Sequence, residues 1–76
     1  MDMRRLLGRN AKRARIDAQL TQEQLSERSG FSQQYISDLE RGLRNPTIVS
    51  LYELAQALHT TPVALITPDE EAAKEG

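Results

Sequence analysis

An all-helical domain of five helices is the fold class this sequence predicts, and three observations carry it. Residues that cap helices recur at short intervals: Thr21, Ser32 and Thr47 each stand where a helix would begin, and Thr61 is followed by Pro62. No stretch alternates apolar and polar residues as a half-buried strand would. Seventy-six residues suffice for one small core and no more, so every helix must contribute to it.

The first helix is predicted over about Met3 to Ala18, where Leu7, Ala11 and Ala14 fall at i, i+4 and i+7. Gly8 within it costs about 1 kcal/mol relative to alanine, so it marks close packing or a frayed first turn. Thr21 with Gln24 three residues on reads as a capping box for a second helix ending near Ser29. Gly30 closes that helix, and Phe31 is the apolar anchor of the turn. Ser32 caps a third helix, Gln33 to Arg41, which Gly42 ends. Thr47 caps a fourth over Ile48 to Leu58, with Ile48, Leu51, Leu54, Ala55 and Leu58 as its inward stripe. Pro62, at a first helical position where a missing N–H does no harm, opens a short fifth helix. The domain is expected to span residues 1–67, with residues 68–76 as an acidic, disordered tail.

The net charge of −1 conceals a segregation. Arg4, Arg5, Arg9, Lys12, Arg13 and Arg15 crowd the first helix, whereas Asp69, Glu70, Glu71 and Glu75 load the tail. Residues 1–67 carry nine basic and seven acidic side chains, so the folded part is mildly positive. Without cysteine, thiolate chemistry and cysteine-ligated zinc are excluded. The longest apolar run, Val63 to Ile66, falls far short of the roughly 20 residues of a membrane span. No secretory leader is recognisable, and a cytoplasmic protein is expected.

Two short helices joined by a three-residue turn containing glycine match a helix-turn-helix. With Leu25, Ile36 and Leu39 turned inward and Ser26 small where the helices meet, Gln33, Gln34, Ser37, Asp38 and Arg41 form one exposed ridge. A glutamine amide donates and accepts at once, matching adenine N7 and N6 in the major groove, and such a pair discriminates by about 1–3 kcal/mol. Arg41, Arg44 and the start of the second helix near Gln22 are placed to meet phosphates, with Arg9 or Arg13 as further candidates. Asp38 either accepts from a cytosine N4 amine or is held by Arg41 or Arg44. Tyr35 either sets its hydroxyl on a phosphate or packs beside the core.

From "LGRNAKRAR" through "LTQEQLSERSGFSQQYISDLERGLRNPTIVSLYELAQAL", about residues 6 to 66, the chain resembles the phage-repressor (Cro and C1 type, XRE-like) helix-turn-helix family. The pieces are weak singly; their order and spacing together are specific. The resemblance implies a compact five-helix, lambda-repressor-like domain that puts its third helix into the major groove of double-stranded operator DNA, usually as a homodimer on a palindromic site. It assigns base contacts to Gln33, Gln34, Ser37 and Asp38, and backbone contacts to Gln22, Ser32, Arg41 and Arg44, Gln22 also bracing the recognition helix. It further implies a structural ion pair between Arg15 and Glu40. A stand-alone transcriptional regulator controlled by its own concentration is the expectation, without cofactor or metal.

Other features read more plainly. His59 has no carboxylate or second histidine at metal spacing and is a helix-end residue. Ser26, Ser29, Ser32 and Ser37 lack an activating histidine, and Glu70 and Glu71 lie in the tail, so no enzyme is predicted. Val63, Leu65 and Ile66 are candidates for a dimer contact, and Glu23 and Glu27 for an acidic surface offered to RNA polymerase. The rival reading is a protein-binding module of the same fold, antitoxin-like or adaptor, in which DNA binding is secondary.

Overall fold

The computed structural model describes residues 1–69. Five helices follow in order: α1 Met3–Asp17, α2 Gln22–Ser29, α3 Gln33–Glu40, α4 Ile48–Ala57 and α5 Pro62–Ile66. The acidic tail expected over 68–76 lies, from residue 70 on, outside the described residues.

Each helix begins at a side-chain cap that takes up otherwise orphaned amide protons. Asp2 accepts from the amides of Arg4 and Arg5. Thr21 and Gln24 make the reciprocal capping box, at 3.0 and 2.9 Å. Ser32, Thr47 and Thr61 accept from the amides of Tyr35, Ser50 and Ala64. The helix ends follow two rules. Gly30 (φ 83°) closes α2 with one bond to the Ser26 carbonyl. The other three long helices end in paired bonds, as when the Gly42 and Leu43 amides donate to Leu39 and Asp38 after α3. Gln19 and His59 take the equivalent left-handed position after α1 and α4, although neither is glycine.

α1 packs against α3 and α5, α2 against α3 and α4, and α4 against α5. Their shared core contains Leu7, Ala11, Leu25, Ile36, Leu39, Leu51, Leu54, Ala55, Ala57, Leu58 and Leu65, with Ala14, Leu20, Phe31 and Tyr35 packed at its margin. Gly8 is a close-packing glycine and its turn is not frayed. A Cβ there would collide with the Leu39 carbonyl oxygen and lie 2.7 Å from that of Glu40. Asn10 is the one polar residue buried as a whole among the described residues; its Nδ2 donates to the carbonyls of Leu65 and Thr67, tying the end of α5 to α1.

Two expectations about apolar residues are corrected. Ile48 is 73% exposed, so the inward stripe of α4 begins a turn later at Leu51. Helical period states which face turns inward, not where along the helix its neighbours begin. Leu65 is 1% exposed and belongs to the core, so it cannot offer a dimer contact; Val63 at 69% and Ile66 at 38% remain outside. In a five-residue helix docked on α1 and α4, the inward side takes Leu65 and leaves Val63 and Ile66 outside. No described helix is long and apolar enough to cross a membrane.

Candidate nucleic-acid interface

The α2–α3 turn sets the start of α3. Ser26 Oγ donates to the Phe31 carbonyl at 2.5 Å, and the Phe31 amide donates to Ser29 Oγ at 3.2 Å. The Phe31 and Tyr35 rings stack at 5.0 Å between centroids, sealing the turn against the core margin. Ile36 and Leu39 are buried behind α3, which leaves its opposite side to solvent.

The far end of α3 is held by charge. Arg15 Nε donates to Glu40 Oε2 at 2.7 Å and its Nη2 to Oε1 at 3.1 Å, while its Nη1 donates to the Leu20 carbonyl. The two side chains are only 12% and 4% exposed, so the bidentate pair is largely withdrawn from water. Gln22 Nε2 donates to the same Glu40 oxygen at 3.1 Å, adding a brace from the first residue of α2. Three helices thus meet at one carboxylate.

On the exposed side, Ser32, Gln33 and Gln34 stand in solvent, and Ser37 and Asp38 are half-buried. Asp38 is the hub. Its Oδ1 accepts from Gln34 Nε2 and from Arg41 Nη2, both at 2.9 Å, and its Oδ2 from Arg44 Nη2 at 3.4 Å. The hydrogen bond from Arg41, then that from Gln34, with the nearby charge of Arg44, holds this carboxyl below its ordinary range. Of the two sequence alternatives for Asp38, the free protein adopts the intramolecular one, with both arginines at once. Arg44 also lies over the Tyr35 ring, 5.1 Å from its centroid. The Tyr35 ring therefore packs between Phe31 and Arg44. Ser32 Oγ accepts from the Tyr35 amide, which leaves its O–H as a donor at the mouth of α3.

Other charged residues are placed differently. Arg9 and Arg13 reach Asp69 at 3.4 and 2.8 Å, so this residue lies against α1. Glu23 and Glu27 are exposed along α2. His59 Nε2 lies 3.1 Å from Arg28 Nη1; a guanidinium only donates, so this nitrogen accepts. Sequence reasoning missed that contact, the Asn10 bonds and the Gln34–Asp38 bond. Asn10 had a signal, a polar residue on the apolar stripe of α1. Gln34 and Asp38 had one in their i, i+4 spacing.

Residues 12–65 match the Helix-turn-helix family HTH_3. The chain is 61% identical over 71 residues to an uncharacterized HTH-type transcriptional regulator, y4dJ, of Sinorhizobium fredii, covering 93% of this chain and 92% of that one. It is 42% identical over 67 residues to the control protein C.SmaI of Serratia marcescens, covering 88% and 80%. Among solved structures it superposes on the restriction-modification controller protein C.AhdI of Aeromonas hydrophila with a TM-score of 0.78 and 34% identity, over 82% of this chain and 94% of that one. The capped α2, the Gly30 turn and the solvent-facing α3 are the parts that give the motif its name, and the chain belongs to the helix-turn-helix family, of the Cro/C1 type.

Proposed function

We propose that this DNA-binding transcriptional regulator reads a two-fold symmetric operator with α3 in the major groove, as a homodimer acting in the cytoplasm. The observation that carries this is the α3 ridge: Gln33, Gln34 and Ser37 face outward on a helix fixed at one end by its turn and at the other by Arg15, Glu40 and Gln22. Amides on a rigid helix suit base edges, and Arg41 and Arg44 at its end suit the flanking phosphates. Each arginine gives Asp38 only its Nη2, so its other N–H groups stay free for phosphate. Ser32, Gln22 and the Tyr35 hydroxyl complete the backbone contacts in this reading.

A second copy supplies the second half-site, with recognition helices about 34 Å apart. Exposed Val63 and Ile66 are the contact offered by α5. Similarity to a control protein and to a restriction-modification controller protein supports control of gene expression from that operator. Glu23 and Glu27, exposed on α2, form an acidic surface for polymerase beside that site.

In vitro selection of bound DNA at stated salt tests the proposal. Enrichment of a symmetric site is the expected result, and weak binding without preference would favour the protein-partner module. Gln33→Ala should relax preference at one position of each half-site, whereas Arg41→Ala should weaken all sequences alike and flatten the salt dependence.

A further inference from the structure

We infer that Asp38 is a positioning residue for base reading: its carboxylate presets the orientation of the Gln34 amide and does not itself read a base. This role rests on the operator reading above and assigns part of its specificity to a residue behind the reader.

Gln34 and Asp38 are one helical turn apart, so their side chains share a face of α3. A carboxylate can only accept, and the bond at 2.9 Å therefore puts the nitrogen end of the amide against Asp38. Gln34 Oε1 and the second N–H are left to face the groove together. That is one acceptor and one donor, the complement of adenine N6 and N7. An amide ordered before binding also loses less rotamer freedom on the operator. Gln33, beside it and exposed, makes no side-chain hydrogen bond among the described residues and has no such preset.

The carboxylate is already loaded. Oδ1 takes two donors and Oδ2 a third, so a cytosine amine would have to compete with Arg41, Arg44 and Gln34 for it. The same arginines make the cluster net positive, which lets an acid stand at a DNA-facing surface without repelling phosphate. Charge pairing alone would require only the arginines. The third bond, to Gln34, is what assigns Asp38 a part in recognition.

The test compares the full chain with Asp38→Ala, Gln34→Ala and the double variant, each by in vitro selection and by binding to the operator selected with the wild type. Asp38→Ala should relax preference at the same base-pair position as Gln34→Ala, with discrimination there falling about tenfold. The double variant should be no less selective than Gln34→Ala alone. Binding to non-operator DNA should tighten as Arg41 and Arg44 are released. Relaxation at a different position, or further loss in the double variant, would mean that Asp38 reads a base and would overturn the proposal. Circular dichroism keeps loss of folding apart from loss of selectivity. In the free protein, the side-chain amide signals of Gln34 should move in Asp38→Asn as well as in Asp38→Ala; signals unchanged in both would equally sink the idea. A wild type that enriches no site removes the operator reading itself and this role with it, a result visible before any variant is made.

Discussion

Glu40 and Asp38 are acids on one short helix, yet their surroundings assign them opposite work. Glu40, almost fully enclosed, receives Arg15 and Gln22 and serves the fold. Glu40→Ala would leave the Arg15 guanidinium enclosed with only the Leu20 carbonyl, a loss of about 3 kcal/mol measurable by urea unfolding. Asp38 stands at the surface, where water screens its contacts. The bonds from Arg41 and Gln34 hold its carboxyl below the ordinary carboxylate range, so the ionised form is the one the fold favours. Its stabilising contribution is therefore complete above the unfolded value and disappears as pH falls through the lower folded value. The stability difference between wild type and Asp38→Asn should be present at neutral pH and close in acid below the ordinary carboxylate range. A difference that grows in acid would reverse the sign of this assignment.

At the scale of elements, the aim of α3 depends on how closely α1 approaches it. Gly8 makes that approach possible, because the carbonyl oxygens of Leu39 and Glu40 occupy the space a methyl group would need. These are backbone atoms and cannot rotate away. Gly8→Ala should destabilise the protein by about 1–3 kcal/mol despite alanine's better helix propensity. Thermal unfolding by circular dichroism reads this directly, and a variant as stable as the wild type would show that α1 does not set the position of α3. Gly42 repeats the pattern from the other side, its missing Cβ lying 2.9 Å from Arg5 Cγ, in a left-handed turn that already favours glycine. Both contacts join α1 to the end of α3.

For the whole molecule, the open question of affinity turns on surface left outside the core. Leu43, Ile48, Val49, Tyr52, Val63 and Ile66 are exposed apolar side chains outside the core. Because Val63 is 69% exposed, Val63→Glu should leave the monomer folded while shifting light scattering toward monomer and lowering operator affinity together. Unchanged mass and affinity would place the dimer contact elsewhere. The ion pairs from Arg9 and Arg13 to Asp69 add a second whole-molecule feature, since they neutralise part of the basic face of α1 with a residue from the far end of the described chain.

Local chemistry explains how much was legible beforehand. The caps at Thr21, Ser32, Thr47 and Thr61, the turn at Gly30 and the inward Leu25, Ile36 and Leu39 depend on neighbours within a few residues, and the sequence alone determined them. The outward place of Gln33 and Gln34 follows from the same period. Only the tertiary structure decided between close packing and fraying at Gly8, and between core and surface at Leu65 and Ile48. Each of those turns on an atom from a distant segment or on where a neighbouring helix ends. A one-dimensional period carries the direction a side chain faces, and only the fold supplies what it meets there.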